Sequence, residues 1–239
     1  MKTYSNHDEI FIGRKQGLQI LNAVKNAKKS VKIVSPYLTP SYLEELVNLR
    51  KKGVQITLIT SDDVEQGRGN YSNFKHSDII KQKKIFDQQA KDKRTRGFII
   101  STALLIISAF FLLLSLFFLF FILALVGAGI LIYSYSIKFY NYEYYSLFRL
   151  KVFDSKSGES PYSTNLVHSK IFVIDESILF LGSANFTYSG FKTHYETIIQ
   201  VKDKKSIKDI SEEVESLFNS KDLKAKSIKQ WGKQIYEGV

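Results

Sequence analysis

The sequence contains no cysteine, which excludes disulfide bonds and catalysis by a thiolate. This absence fits a reducing compartment without proving one. The opening segment MKTYSNHDEI lacks an apolar core, so we do not expect a cleaved secretory signal.

Charged residues are absent from Gly97 to Ile137. One bilayer crossing takes about 20 residues, and a straight helix over this run would reach roughly 60 Å, about twice the hydrocarbon core. We therefore predict two crossings joined by a tight turn between Leu114 and Phe118, where Ser115 is the only polar residue. The alternative is a buried hairpin of a soluble protein, but soluble helices seldom stay apolar on every face for so long.

Basic residues flank the uncharged run on both sides: Lys91, Lys93, Arg94 and Arg96 before it, and Lys138, Arg149 and Lys151 after it. Positive charge on both sides predicts that both ends of the run, and with them the rest of the chain and both termini, are cytoplasmic. Gly127 and Gly129 are candidates for a close approach of the two helices. The net charge of +11 suits an anionic partner such as nucleic acid, acidic lipid or a phosphate ester, without choosing among them.

Hydrophobic spacing before the uncharged run predicts alternating helices and strands. We expect a helix over residues 14–29, a strand over Val31–Ser35, a helix from Pro40 to near Gly53 and a strand over Val54–Thr60. This order is typical of a parallel crossover in an α/β sheet. Residues 61–72 should form a loop, and the very basic residues 73–96 a helix.

After the uncharged run the pattern predicts a helix from Ser206 onward and four strands: Leu147–Phe153, Ile171–Ile174, Ile178–Leu181 and Thr197–Val201. Because the strands on both sides must return to one sheet, an even number of crossings is required, which supports the hairpin. We therefore divide the chain into an N-terminal part of one α/β domain (1–96), a transmembrane helical hairpin (97–137) and a C-terminal part of that domain (138–239).

The segment LVHSKIFVIDESILFLGSANFT, residues 166–187, places polar side chains around two apolar strands. With Glu176 and Ser177 as a two-residue turn, Lys170 would face Ser183, and His168 would face Asn185. These four side chains would then converge at the open end of a strand hairpin, since residues i and i+2 share a face. Gly182 would leave room beside them.

The side chains in this patch suit a phosphate group. Lysine supplies a fixed positive charge, serine and asparagine supply neutral donors, and histidine can attack or move protons near neutral pH. The patch holds no carboxylate pair and no cysteine, so a metal site is a poor fit. A satisfied polar cluster at a strand end explains the spacing equally well.

The order H-x-K-x4-D-x6-G-S-x-N is matched without a gap, and it resembles the HKD motif of the phospholipase D superfamily. The matching residues are His168, Lys170, Asp175, Gly182, Ser183 and Asn185, with Glu196 at a familiar distance beyond them. The resemblance covers roughly residues 14–75 and 145–232. It implies an α/β fold with a mixed β-sheet flanked by helices, into which the transmembrane hairpin is inserted.

The resemblance also implies the chemistry. His168 would attack phosphorus to give a phosphohistidine, a second histidine would protonate the leaving oxygen, and water or an alcohol would resolve the intermediate. Lys170 and Asn185 would hold the nonbridging oxygens with help from Ser183, and Glu196 would orient His168. Asp175 and Gly182 would be structural, and no metal or cofactor is implied.

The sequence holds one such motif, because none of His7, His76 and His194 stands two residues before a lysine. A single motif implies a homodimer in which the partner copy supplies the second histidine. The favoured function is a phosphoric diester hydrolase anchored beside its phospholipid substrate. A metal-independent endonuclease acting on nucleic acid is the alternative, and an inactive membrane-bound scaffold is a third reading.

Overall fold

A computed structural model describes residues 2–4, 8–61, 79–154 and 167–237. The chain forms two compact units, one of Met1–Lys81 with Tyr144–Val239 and one of Gln82–Glu143. The second unit contains the predicted hairpin insert of residues 97–137. The expected loop over residues 61–72 falls almost entirely outside the described part of the chain.

The described residues contain eleven strands and seven helices in a mixed order. The strands are β1 (Lys2–Tyr4), β2 (Glu9–Arg14), β3 (Ser30–Val34), β4 (Gln55–Ser61), β5 (Ile80–Phe86), β6 (Tyr140–Ser146), β7 (Arg149–Phe153), β8 (Ile171–Ile174), β9 (Ile178–Gly182), β10 (Tyr195–Val201) and β11 (Ala225–Lys226). The helices are α1 (Leu18–Lys25), α2 (Pro40–Lys51), α3 (Gln88–Leu113), α4 (Phe117–Ser136), α5 (Tyr188–Lys192), α6 (Lys204–Asn219) and α7 (Ile228–Glu237).

Nine of these strands form one sheet in the order β1-β2-β10-β9-β8-β3-β4-β7-β11, and β5 and β6 form a separate ribbon. The β3–β4 and β4–β7 pairs are parallel, whereas the other described pairs of the large sheet are antiparallel. The prediction of an α/β fold with a mixed sheet flanked by helices is therefore confirmed. So is the parallel crossover, which runs from β3 through α2 to β4.

The central strands are buried on both faces, which explains their uninterrupted apolar sequences. On β8, Phe172 packs into the main core with α1 and α2, while its neighbour Val173 packs into a second cluster that contains Ile207 of α6. Burying one such side chain stabilises the fold by about 1.5–3 kcal/mol. The two layers of helices thus hold the β8–β9 hairpin as a rigid support.

Two local predictions were wrong. The helix expected over residues 14–29 begins only at Leu18, because Glu9–Arg14 pairs with β10 as strand β2. The basic segment 73–96 was expected to be a helix, but Ile80–Phe86 is a strand, and the helix starts after Asp87, whose carboxylate accepts a hydrogen bond from the Ala90 N–H. The tyrosine-rich stretch that pairs with it, β6, has the aromatic content favoured in strands.

The helices α3 and α4 form an antiparallel hairpin with the turn at Leu114–Leu116, inside the predicted interval. By length and composition each could cross a membrane: their most apolar 18-residue windows have mean hydropathies of 2.1 and 2.5, and 11% of each window is buried. The prediction of an inserted hairpin of two apolar helices is confirmed at that level.

Small residues let the two helices approach each other. A Cβ at Gly97 would lie 1.9 Å from Oγ of Ser134, and one at Gly127 would lie 3.2 Å from the side chain of Leu105. Gly129, in contrast, faces open space, so its predicted part in the helix contact is wrong. The buried hydroxyl of Ser134 donates to the Ile130 carbonyl of its own helix, which satisfies it without a partner across the contact.

Candidate active site

The predicted site residues lie at the open end of the β8–β9 hairpin and on the neighbouring strand. His168 and Lys170 precede β8, Ser183 and Asn185 follow β9, and Glu196 lies on β10. The sheet order β10-β9-β8 makes these three segments neighbours. Residues up to 28 positions apart in sequence, His168 and Glu196, therefore reach one edge of the sheet.

The register of this hairpin differs from the prediction by one residue. Ile171 pairs with Leu181 and Ile174 with Ile178, so three residues, Asp175–Ser177, form the turn rather than two. Asp175 and Glu176 adopt left-handed φ angles of +53° and +52°. The predicted opposition of Lys170 to Ser183 and of His168 to Asn185 is therefore wrong.

Asp175 sets this turn through contacts that are distant in sequence. Its carboxylate accepts hydrogen bonds from the backbone N–H groups of Lys28 (2.9 Å), Lys29 (2.6 Å) and Ser30 (2.9 Å), and its own N–H donates to the Ser30 carbonyl. Burial alone would raise the pKa of Asp175, but these three N–H groups outweigh it and hold the pKa below its usual value. The aspartate thus ties the hairpin turn to the start of β3.

The segment after β9 still meets β10, because the strands are packed with no space between them. A Cβ at Gly182 would lie 2.1 Å from the carbonyl oxygen of Thr197, so only glycine fits there. The room that the sequence suggested beside Gly182 is occupied by the β10 backbone. The next residue continues the contact, since the Ser183 N–H donates to Thr197 O at 3.0 Å.

Lys170 and His168 are in direct contact. The Lys170 Nζ lies 3.1 Å from Nδ1 and 3.0 Å from Nε2 of His168, and it donates to the His168 carbonyl oxygen at 2.8 Å. An ammonium can donate only to a ring nitrogen that carries a lone pair, so the tautomer of His168 decides which of its ring nitrogens can accept. Burial lowers the pKa of Lys170, and the negative charge of Glu196 partly offsets this lowering.

Glu196 is a buried carboxylate with two side-chain neighbours. It accepts a hydrogen bond from the Ser183 hydroxyl, which in turn accepts from the Thr197 N–H at 3.0 Å. Its other oxygen lies 3.6 Å from Nδ1 of His194, whose side chain is 65% exposed. The structure therefore places Glu196 beside Ser183, His194 and the charge of Lys170 and gives it no hydrogen bond to His168.

Asn185 lies at the other side of this cluster. Its Oδ1 atom is buried and has no hydrogen-bond partner among the described residues. The following residue fixes the backbone, since the Phe186 N–H donates to Oγ of the fully buried Ser35 at 3.0 Å, and the Phe186 carbonyl accepts from the Thr39 N–H. The backbone that carries Asn185 is thus fixed, whereas its side-chain oxygen has no hydrogen-bond partner among the described residues.

Sequence reasoning missed two contributors. Ser35 holds the loop that carries Asn185, and its only signal was its place as the last residue of a predicted strand. His194 was considered only as a candidate for a second motif, although its position two residues before Glu196 on the same strand end could have indicated a contact. Among the described residues, no group of three or more histidine, cysteine, aspartate or glutamate side chains is placed to hold a metal ion.

The mixed sheet brings a histidine, a lysine, a serine, an asparagine and a glutamate to the ends of three neighbouring segments. Residues 130–219, which include all of these side chains, match the family model described as "Cardiolipin synthase, PLD-like domain". This part of the chain is therefore similar to a PLD-like domain, in agreement with the family predicted from the motif. A PLD-like domain indicates phosphodiesterase activity in general terms.

Three solved structures resemble the chain at low identity. NucT from Helicobacter pylori is 14% identical with a TM-score of 0.49, covering 89% of this chain and 96% of its own. Nuc from Salmonella typhimurium, a phospholipase D family member, is 13% identical with a TM-score of 0.43, covering 92% and 98%. Phosphatidylserine synthase from Haemophilus influenzae Rd KW20 is 13% identical with a TM-score of 0.42, covering 93% and 41%. No curated protein shows significant similarity to the sequence.

Proposed function

We propose that the chain is a membrane-anchored phosphodiesterase that cleaves or transfers a phospholipid headgroup through a phosphohistidine. The observation that carries this proposal is the contact between the Lys170 ammonium and the His168 imidazole. It puts a phosphate-binding cation and a neutral nitrogen nucleophile at the same point. The two apolar helices supply the reason for a lipid substrate.

In the first step a phosphate oxygen competes with the His168 ring for the Lys170 ammonium and so frees the nitrogen lone pair. His168 then attacks phosphorus, a P–N bond forms and a P–O bond breaks, and a second histidine gives its proton to the leaving oxygen. In the second step water or an alcohol attacks phosphorus, the P–N bond breaks, and the second histidine takes the proton back.

Lys170 and Asn185 bind the nonbridging oxygens in this scheme. The buried Oδ1 position of Asn185, which lacks a hydrogen-bond partner among the described residues, supports this role. If the side-chain amide is turned by half a rotation, its NH₂ group occupies that position and can donate to a phosphate oxygen. The Ser183 hydroxyl donates to Glu196, so Ser183 contributes to substrate binding only if it turns from that partner. Glu196 supports the site chiefly by balancing the charge of Lys170. An orienting contact from Glu196 to His168 remains a prediction.

The second histidine comes, in this proposal, from His168 of a second copy in a homodimer. A variant pair tests the shared site: mixed dimers of His168→Asn and Lys170→Ala chains should stay inactive, because each site would draw on both chains' motifs. Gel filtration and crosslinking would confirm that the mixed dimers form. Substantial activity from them, or from a monomer, would count against the shared site.

One comparison tests the substrate. The purified protein in detergent with EDTA is offered radiolabelled anionic phospholipid and single-stranded oligonucleotide, with His168→Asn as the inactive control. We expect release of a lipid product and an acid-labile, base-stable radiolabel on the native chain alone. Cleavage of the oligonucleotide with untouched lipid would favour the nuclease, and failure to act on either would favour the scaffold.

A further inference from the structure

We propose that the α3–α4 hairpin carries its own binding groove for an anionic phospholipid of the surrounding membrane, distinct from the catalytic residues. This inference rests on the proposed insertion of the hairpin into a membrane. The groove lies between the beginning of α3 and the end of α4 and has a volume of about 630 Å³. Ligand pockets in proteins usually measure about 300–1,000 Å³.

The lining of the groove changes from charged to apolar along the helix axis. Lys93 and Arg96 of α3 lie at its charged end, and Ile100 and Ile130 line the rest, with Tyr133 beside them. Ile100 follows Arg96 by about 6 Å along the helix. The charged end thus coincides with the edge of the uncharged run, where lipid headgroups lie, and the apolar part lies at the depth of the acyl chains.

The two cations of the groove are available to a ligand. Within the described chain no carboxylate pairs with Lys93 or Arg96, and Lys93 contacts only the Tyr133 ring, 5.5 Å from its centroid. The carboxylate of Asp92, which also lines the groove, accepts a hydrogen bond from the Gln88 side chain at 2.8 Å. The lining thus carries two positive charges and one negative charge, and this net positive charge beside an apolar groove matches a phospholipid with a net negative headgroup.

A neighbouring arginine shows the contrasting case. The guanidinium of Arg94 packs over the rings of Phe98, Tyr135 and Phe139 at 5.1–5.5 Å, on a different side of α3. Its cation–π contacts therefore lie within the hairpin itself. Of these three basic residues, Arg94 packs on aromatic rings of the hairpin, whereas Lys93 and Arg96 face the groove.

Gly97 lies in the groove next to Arg96, where α3 and α4 meet. Because it has no side chain, α3 packs against Ser134 of α4 at this point. A lipid phosphate at Lys93 and Arg96 could then extend an acyl chain past the backbone of Gly97 toward Ile100 and Ile130. The headgroup of a zwitterionic lipid would place its own positive charge beside the two cations, so such a lipid should bind more weakly.

Photolabelling in nanodiscs tests the proposal on the full-length protein. The discs contain phosphatidylcholine with a small fraction of phosphatidylglycerol that carries a diazirine on one acyl chain, and labelled peptides are mapped by mass spectrometry. We expect labelling at Ile100 and Ile130. The double variant Lys93→Gln/Arg96→Gln should reduce it about 30-fold, since each of the two basic residues near the surface contributes on the order of 1 kcal/mol.

Two matched controls separate the groove from general charge and bulk. Lys91→Gln removes one positive charge from an exposed position of α3 outside the groove and should leave labelling unchanged. Ile100→Trp fills the groove and should reduce labelling, whereas Ile99→Trp, at a neighbouring side chain that is 65% exposed and outside the groove, should not. Equal labelling by a phosphatidylcholine probe, or displacement by excess soluble glycerol phosphate, would overturn the proposal.

The outcome also separates this inference from the proposed function. Release of the protein from membranes by alkaline carbonate would count against the membrane anchor itself. A chain that resists carbonate but shows no headgroup preference would overturn the groove alone. The His168→Asn variant should lose phosphodiesterase activity and keep native labelling, because the two sites use different residues.

Discussion

The β8–β9 hairpin and the α3–α4 hairpin both reverse the chain through non-glycine residues in the left-handed region, Asp175 and Glu176 in one and Ser115 in the other. The strand turn is fixed by backbone N–H groups about 145 residues earlier in the chain. The helical turn is fixed by its own neighbours, with the Ser115 N–H donating to Leu112 O at 3.0 Å. The first hairpin therefore depends on the whole fold, and the second on local sequence.

The largest expected effect is the loss of turnover when a residue beside the β8–β9 hairpin is changed. His168→Asn removes the proposed nucleophile and should reduce turnover by about 10⁴-fold or more. His194→Gln is the matched control: it changes an exposed imidazole that lies 3.6 Å from Glu196, and it should keep most of the turnover. Initial rates on the cleaved phosphodiester measure both. An equal loss in the two variants would mean that the nucleophile has been assigned wrongly.

A glycine pair compares the packing of the two hairpins. Gly182→Ala puts a methyl group against a backbone carbonyl that cannot move aside, and it should lower the free energy of unfolding by about 2–3 kcal/mol. Gly129→Ala meets no atom within 4 Å and should change it by less than about 1 kcal/mol. Denaturant unfolding is followed by Trp231 fluorescence for the sheet-containing unit and by helical circular dichroism for the α3–α4 hairpin. Comparable losses would show that both hairpins are packed alike.

Asp175→Asn tests the long-range hydrogen bonds, or long-range tie, between the β8–β9 turn and the segment that begins β3. The folded-state pKa of Asp175 is lowered, so its stabilisation is complete above its unfolded pKa of about 4 and is lost as pH falls through the folded value. The variant should lose about 1.5–2 kcal/mol at pH 7 and show a flatter acid dependence. Asp209→Asn, an exposed aspartate of α6, is the control. Identical acid profiles for native and Asp175→Asn would contradict the tie.

The smallest effect concerns the alkaline limit of activity. Burial lowers the pKa of Lys170, so its charge, and with it phosphate binding, should be lost below the usual lysine value of 10.5 as pH rises. The pH profile of kcat/KM measures this limit. Lys170→Arg should be slower but should lack the alkaline limb, because arginine stays charged. A native profile that stays flat past 10.5 would exclude the expected titration.

The same contrast explains what the sequence could predict. The uncharged run, its turn and the β3–α2–β4 crossover depend on local spacing, and each was predicted within a few residues. The register of β8 and β9 was not, because the bonds from Asp175 to Lys28, Lys29 and Ser30 join distant segments. Strand β2 was missed for a similar reason, since its pairing partner β10 lies some 185 residues later.

For the candidate site, the motif located the residues but not their contacts. His168 and Lys170 meet as neighbours on one segment, a proximity that the i, i+2 spacing allows. The Ser183–Glu196 hydrogen bond depends on how β9 ends against β10, which only the packed sheet determines. The involvement of Ser35 and His194 likewise depends on tertiary neighbours that no local pattern records.

The parallel neighbours β4 and β7 are joined in sequence through α3 and α4. Every strand that carries a proposed catalytic side chain is synthesised after that connection. In the proposed membrane-anchored arrangement, the first strands would wait, incomplete, while both apolar helices leave the ribosome and enter the bilayer. The nine-stranded sheet would then be completed only after the second helix has returned the chain to the side from which it left.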